Sequence, residues 1–291
     1  VRLSDASLSL TDSHGTQLEQ THFDVVFPLL HGPRGEDGTM QGLLELAGVA
    51  YVGAGVAASA VGMDKELSRA VFATAGLRQT EYLVVRRSAW QEKPSSVVRE
   101  IEAALKYPLF VKPANLGSSI GISKVHNRES LAGAMNFAGG YDLKIMVEES
   151  VEHSRELECA VLGNEEVQAS GIGEIIPGAE FYDYTTKYLD DRSQLIIPAD
   201  LPKAVSEAVQ EMSVRAFQAI DGCGLARVDF LLAPSDDVFL NELNTMPGFT
   251  SISMYPKLWQ ASGVSYPDLI DRLIQLGLER HRDRDSIICT R

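Results

Sequence analysis

Residues 225–244, LARVDFLLAPSDDVFLNELN, hold two apolar runs around the turn-forming stretch 234–237, the pattern of a β-hairpin. With the turn centred between Ser235 and Asp236, Asp229 stands opposite Glu242 and Arg227 opposite Asn244. Side chains two apart share a face, so one face carries Arg227, Asp229, Glu242 and Asn244, while Val228, Phe230, Leu232, Phe239 and Leu243 pack the other. A slip of one residue would scatter the charged set. Two carboxylates and an amide oxygen suit a hard cation such as magnesium, which takes oxygen ligands and leaves room for phosphate oxygens. Arg227 would then face transferred phosphoryl or developing oxyanion charge. The same residues also make an ordinary solvated hairpin face, and the hairpin by itself leaves both readings open.

Working outward, the apolar run 24–30 (DVVFPLL) ends at His31 and Gly32 and reads as a buried strand entering a loop, the place where open α/β folds carry function. A helix at 42–47 and an extended piece at 50–52 make the first 60 or so residues the tail of an open α/β domain. The spacing predicts a helix over 63–75, with Leu67, Ala70, Val71 and Thr74 on one face, opening a new domain. Strands at 81–85, 109–112, 120–125 and 144–148, with helices at 95–106 and 128–138, form a compact α+β unit. The last third supplies strands at 156–162 and 168–172, a tyrosine-rich loop at 181–188, a helix at 202–220, the hairpin, and helices at 255–261 and 266–280. The expected organisation is α/β (α+β) in three units, 1–62, 63–153 and 154–291, with no internal repeat.

Bulk properties narrow the function classes. With 291 residues and 45% hydrophobic content, the chain can bury two or three cores. A formal net charge of -14 argues against a phosphate-backbone footprint, so no nucleic-acid partner is expected. Cys159, Cys223 and Cys289 are too few and too scattered for a disulfide framework or a CxxC metal site, which fits a reducing, cytoplasmic setting. No apolar run approaches the roughly 18–20 residues of a membrane span, and no signal-peptide pattern opens the chain. The sequence begins at Val1 on a polar stretch, 1–20, without a Met, so further native sequence is expected upstream.

Several other residues bear on chemistry. Lys112 closes an apolar strand and is followed by Pro113, Gly117, Ser118, Ser119 and Gly121, a small-residue loop whose amides can approach phosphate. It is either a lid over nucleotide phosphates or a plain turn. Lys65 lies near a helix start, where lysine is commonplace. Glu148 and Glu149 end a strand and could meet adenine or cap a sheet edge, and Glu156 could hold ribose hydroxyls or simply be a surface carboxylate. The stretch FYDYTTKY, with Phe181, Tyr182, Tyr184, Lys187 and Tyr188, is dense in aromatics for a surface loop, as in a substrate lid or a satellite cluster pinning the loop. His31, before Gly35, Glu36, Asp37 and Gly38, could orient a carboxylate substrate or only hydrogen-bond its loop.

Taken together, LLHGPRGEDGTMQG, MDK, FVKPANLGSSIGISKV, FYDYTTKY, GLARVDF and LNELNTMPGFTSISMYPKLW resemble the D-alanine:D-alanine ligase family, in order, from about Asp24 to about Arg282. The resemblance implies an ATP-grasp fold: an N-terminal open α/β domain, then central and C-terminal α+β domains with ATP between them. It places Lys65, Lys112, Glu148, Glu149, Val151, Glu156, Phe181, Tyr182, Lys187 and Phe230 around the nucleotide. Asp229, Glu242 and Asn244 match the ligands of two magnesium or manganese ions. Arg227 and the Gly248 amide match the oxyanion site, and Ser253 and Met254 match the positions that receive the second D-alanine's carboxylate. His31 matches a residue beside the first D-alanine, and Ser118 and Tyr188 resemble a hydrogen-bonded pair that positions the loop and the amine. The implied activity is ATP-dependent joining of two D-alanines through a D-alanyl phosphate, for cell-wall precursors, by a homodimer.

The chain departs from the family pattern in two places. The family's glycine-rich first strand and the Glu after it are not found in this sequence, and the stretch from Glu148 to Glu156 is one residue longer than in some members. The nearest rival is a D-alanine:D-lactate ligase, whose relatives typically carry His in the lid loop; Tyr188 favours the dipeptide. The segment NTMPGFTSIS disfavours a carboxylase-like or other amino-acid ligase. A non-catalytic nucleotide-binding regulator has little reason to keep Lys187, Arg227, Asp229, Glu242 and Asn244 together.

Overall fold

The computed structural model describes residues 2–4, 7–11, 14, 16–117, 120–176, 194–250 and 252–288. Strands β1 (Arg2–Ser4), β2 (Ser7–Thr11) and β3 (Gln17–His22) form an antiparallel meander that the polar composition of 1–20 does not announce. Residues 24–30 do not make the expected strand. There a single bridge joins Val26 to Tyr51 in parallel, with Val26 N–H donating to Ala50 O and Val52 N–H to Val26 O, both at 2.9 Å. Pro28 has no N–H with which to continue a ladder. The chain turns at once, Leu29 N–H donating to Phe27 O at 3.0 Å and Leu30 N–H to Pro28 O at 2.7 Å. That turn leads into the HGPRGEDG segment, where a Cβ on Gly35 would lie 2.3 Å from Leu30 O, so only glycine fits.

Helices α1 (Thr39–Leu46), α2 (Val56–Met63) and α3 (Lys65–Thr74) follow. Asp64 caps α3, its carboxylate accepting from the N–H groups of Glu66 and Leu67 at 3.0 and 3.2 Å. The helix is present but its buried face is not the expected one. Leu67 is 47% exposed, and Lys65, Ser68, Arg69 and Phe72 face inward. Apolarity does not choose the face here, because the Arg69 guanidinium finds a buried carboxylate, Glu148, that compensates its charge.

The next unit contains β4 (Tyr82–Arg86), α4 (Arg87–Glu92), α5 (Pro94–Ala104), β5 (Leu109–Pro113), β6 (Ser123–Val125), α6 (Arg128–Gly139) and β7 (Lys144–Glu149). The strands pair antiparallel in the order β4-β7-β5-β6. Gly121, at φ +76, delays β6 relative to the expected 120–125. Ile101 and Leu131 of the helices bury against Leu109, Val111, Ile145 and Val147. Strand alternation then assigns Phe110, Lys112, Met146 and Glu148 to the opposite face.

The last unit has β8 (Arg155–Gly163), β9 (Gln168–Ile176), β10 (Gln194–Ile196), α7 (Lys203–Ala219), β11 (Gly224–Leu232), β12 (Val238–Asn244), α8 (Met254–Ala261) and α9 (Tyr266–Asp285). Its antiparallel sheet runs β10-β9-β8-β11-β12. One face is apolar over most of its extent: Leu157, Cys159, Val161, Val228, Phe230 and Leu240 pack under Val209 and Phe217 of α7, Ala58 of α2 and Phe72 of α3 join the same core, and an Arg155–Glu174 ion pair lies at its margin. The other face is divided. Ala160, Leu162 and Leu225 lie under Tyr255, Leu258 and Leu273 of α8 and α9. Beyond those helices the same face continues with Glu156, Glu158, Arg227 and Asp229.

The hairpin keeps the expected pairs Arg227 with Asn244 and Asp229 with Glu242, then shifts register so that Phe230 faces Leu240 and Leu231 faces Phe239. Asn241 is the extra residue of this bulge. The shift corrects one expectation: Leu240, fully buried, takes the core position assigned to Phe239, whose ring instead lies under the Arg78 guanidinium at 4.6 Å.

Candidate active site

The polar faces of the two larger sheets border one cavity of about 500 Å³, within the range of small-molecule sites. Among the residues lining it are Lys65, Lys112, Glu148, Val151, Glu156, Phe230, Asp229 and Glu242, eight of the positions singled out in the sequence. Phe230 borders the cavity from the apolar core, where its side chain is packed. Glu149 is not among the lining residues; its carboxylate accepts the Lys106 N–H at 2.8 Å at the sheet margin.

On β5 and β7, Phe110 stands opposite Glu148 and Lys112 opposite Met146, so Lys112 and Glu148 are diagonal neighbours on the cavity face. They form a buried ion pair, and the second Glu148 oxygen takes Arg69 as well as the Thr80 hydroxyl at 3.4 Å. Burial pushes the Glu148 carboxyl up, but Arg69, Lys112 and Lys65 more than offset this and hold it below the usual carboxylate range. For Lys112 burial pushes the ammonium down and Glu148 opposes it, while Arg69 and Lys65 add to the fall, so its pKa ends below that of an ordinary lysine. A group in that condition gains from a polyanion. Lys65, held at the first turn of α3, donates to Leu116 O at 2.6 Å and lies 3.5 Å from Glu242, tying the glycine-rich loop to the hairpin.

On β11, Arg227 Nε and Nη2 donate to Asp229 Oδ1 and Oδ2, both at 2.7 Å, and Asn244 Nδ2 donates to Oδ2 at 3.1 Å. Burial lowers the Arg227 pKa, but the Asp229 and Glu158 carboxylates reverse this and keep the guanidinium charged. Among the described residues no group of three or more His, Cys, Asp or Glu side chains is gathered for an ion. The donor set is two carboxylates facing each other across the hairpin beside one amide. That set fits magnesium, which commonly takes one or two carboxylates and completes its shell with phosphate oxygens and water.

A second group of positions lies apart from this cavity. His31 Nδ1 is 2.9 Å from Met246 O, and since a carbonyl only accepts, Nδ1 carries the proton. Nearby, Glu36 accepts the Gly32 N–H. A Cβ on Gly248 would lie 2.8 Å from Ser253 Oγ. Ser253 precedes α8, and its hydroxyl accepts the Thr250 N–H at 3.0 Å. The Met254 side chain is buried in the core under α8, so what it can offer a carboxylate is the N–H of a helix first turn. Ser118, Phe181, Tyr182, Lys187 and Tyr188 lie outside the described residues.

Glu36 carries a pH prediction. Burial pushes its carboxyl up, the Gly32 N–H and His31 only partly offsetting it. A carboxyl whose folded pKa exceeds its unfolded value contributes stability that is present below the unfolded pKa and is lost as pH rises through the folded one. Glu36→Gln is therefore expected to raise Tm relative to the parent at pH 8 and to lose that advantage at pH 4, read by thermal melts in the presence of chelator.

Among the contributors that the sequence did not reveal are Arg69, Thr80 and Glu158. Two of them had a signal. Arg69 is four residues after Lys65 on one helix face, and Glu158 is two after Glu156 on one strand face. Thr80 had none.

The chain matches the family model described as the C-terminus of D-ala D-ala ligase over residues 71–275, and that of its N-terminus over residues 3–54. A D-alanine–D-alanine ligase of Geobacillus kaustophilus is 54% identical over 279 residues, covering 96% of this chain and 76% of the relative. One from Heliobacterium modesticaldum is 56% identical over 262 residues, covering 90% and 71%. Among solved structures, the D-alanine-D-alanine ligase from Coxiella burnetii superposes with a TM-score of 0.82 at 39% identity, covering 94% of this chain and 72% of that one. A D-Ala:D-Ser ligase of Enterococcus faecalis superposes at 0.81 with 38% identity, covering 89% and 74%.

Proposed function

We infer the chemistry of this cavity from one premise: the chain belongs to the D-alanine–D-alanine ligase family. It is an ATP-dependent ligase of the ATP-grasp fold that joins two D-alanines, the reaction that supplies the dipeptide of peptidoglycan. The observation that carries the assignment of residues is that the Lys112–Glu148 pair and Asp229 open on one cavity from opposite sheets.

In our reading ATP lies in that cavity, with its adenine end toward Glu148, Val151 and Glu156 and its phosphates near Lys112 and Lys65. The family resemblance adds Lys187, Phe181 and Tyr182 to the residues that serve the nucleotide. The depressed pKa of Lys112 supports this, because phosphate oxygens restore the stability of its charge. Asp229, Glu242 and Asn244 hold magnesium or manganese, two ions, which when bound supply positive charge against the phosphate oxygens. A carboxylate oxygen of the first D-alanine attacks the γ-phosphorus, ADP leaves, and an acyl phosphate forms. The second D-alanine's amine, having lost a proton, attacks that carbonyl, and phosphate leaves. His31 sits beside the first D-alanine. Arg227 and the Gly248 amide meet the oxyanion, Ser118 and Tyr188 position the amine, and Ser253 with the Met254 N–H receives the second carboxylate. We divide the chain at 62/63 and 153/154, with α2 and α3 at the junction, and assign it to the cytoplasm as a homodimer. No helix among the described residues is long and apolar enough to cross a membrane.

The test is phosphate release from ATP and magnesium with D-alanine alone, with D-alanine plus D-lactate, and with L-alanine. Release that needs only D-alanine, with D-alanyl-D-alanine as product, is the expected result. Turnover that appears only with D-lactate, or ATP binding without release, overturns it.

A further inference from the structure

Asp229 has a conflict of roles. Its carboxylate already accepts two N–H groups from Arg227 and one from Asn244, and the oxygens those bonds occupy are the ones a divalent cation would use. If Asp229 turns to an ion, Arg227 loses its bidentate partner inside a buried site, where an uncompensated charge is costly. One group stands ready to compensate it. Glu158 lies on β8 directly opposite Asp229 in the β8–β11 register, is 5% exposed, and places Oε2 2.9 Å from Arg227 Nε. It borders the same cavity.

We propose that Glu158 is a positioning residue, a second counter-ion that keeps the Arg227 guanidinium in place when Asp229 is taken by the metal. Arg227 is shared between two carboxylates on neighbouring strands, and only one of them belongs to the proposed cation set. Glu158 thereby lowers the cost of freeing Asp229 and fixes where Arg227 stands for the oxyanion. The inference rests on the reading of Asp229 as a metal ligand and of Arg227 as an oxyanion contact.

The experiment titrates Mn2+ by calorimetry into the full chain saturated with ADP, and measures kcat and KM for ATP and D-alanine in parallel. Glu158→Gln keeps the size of the side chain and removes its charge. It is expected to weaken Mn2+ and to lower kcat, each by about 10-fold or more, as loss of a group supporting a metal site does, with KM for ATP within about 2-fold of the parent. Glu158→Asp, which restores the charge, is expected to recover most of both and serves as the reporter if the Gln variant fails to fold, since an Asp variant about 10-fold or more below the parent in Mn2+ affinity and kcat would overturn the idea. In an Arg227→Met background, Glu158→Gln is expected to leave Mn2+ affinity unchanged, because its partner is gone. Parental Mn2+ affinity and kcat in Glu158→Gln, or an undiminished effect in the Arg227→Met background, sinks the proposal. Asp229→Asn separates it from the reading beneath: parental Mn2+ affinity there means that Asp229 is not a ligand, whereas loss there with none in Glu158→Gln means that only the role of Glu158 is wrong.

Discussion

Asp229→Asn is expected to lower the rate of dipeptide formation on the order of 10³-fold while the protein stays folded, because charge stabilisation is the largest single term in reactions of this kind. The carboxylate sits on the sheet face that continues past α8 and α9, opposite Glu242 across the hairpin and opposite Glu158 across β8. Asparagine keeps one acceptor oxygen and places an amide N–H2 where a cation and Arg227 both need negative charge. The guanidinium retains Glu158, 2.9 Å from Nε, so Arg227 is not stranded and the thermal midpoint is expected to fall by only a few degrees. Phosphate release with saturating ATP, magnesium and D-alanine reads the rate, and a thermal melt reads the fold. Turnover within about 10-fold of the parent would remove Asp229 from the reaction and, with it, the assignment of the hairpin face.

The second large effect is structural and begins far from any substrate. Arg69→Met removes a guanidinium that is 1% exposed, paired with Glu148, donating to Thr80 O and Oγ1 at 3.2 and 2.9 Å, and lying 5.1 Å above the Tyr82 ring. Breaking one side of a buried pair typically costs about 3–5 kcal/mol, which for a chain of this size lowers Tm on the order of 10 °C. The effect also spreads to the cavity. Without Arg69 the largest of the three positive charges that hold the Glu148 carboxyl down is gone, so the carboxyl rises and becomes a weaker partner for Lys112, while Lys112 and Lys65 still oppose its protonation. KM for ATP is expected to rise about 10-fold, more at low pH than at high pH, since protonating Glu148 is the step that the arginine prevents. Arg69→Lys, which keeps the charge but loses the fork, is expected to recover part of the stability. An Arg69→Met protein with parental Tm and KM would mean that the Lys112–Glu148 pair stands without it.

Both predictions turn on groups whose partners lie far away in the chain, and this marks how far the sequence could be read. The hairpin was legible because its pairing is local: two apolar runs and one turn determine which side chains share a face, and Arg227 with Asn244 and Asp229 with Glu242 follow from counting by twos. Counting failed only past the bulge at Asn241, where Leu240 replaces Phe239 in the core. The run 24–30 reads as a strand by composition, yet a strand needs a neighbour, and Pro28 interrupts the single bridge that Val26 makes. The inward face of α3 was misassigned because hydrophobic spacing ranks Leu67 and Val71 above Lys65 and Arg69, and only the presence of Glu148 on a distant strand makes burying an arginine favourable.

What the sequence determined by itself is therefore the local part: most of the helices and strands from α3 onward, the hairpin register as far as the Asp229–Glu242 pair, and six motifs whose order marks the family. The tertiary structure decided the rest. It brought Lys112 and Glu148 from one sheet to a cavity shared with Asp229 of another, gave Arg69 a carboxylate to balance it, and set Glu158 beside Arg227. The physical reason is that periodicity reports only which way a side chain points along its own element, whereas a charge is stable in a protein interior only where another chain segment supplies its opposite.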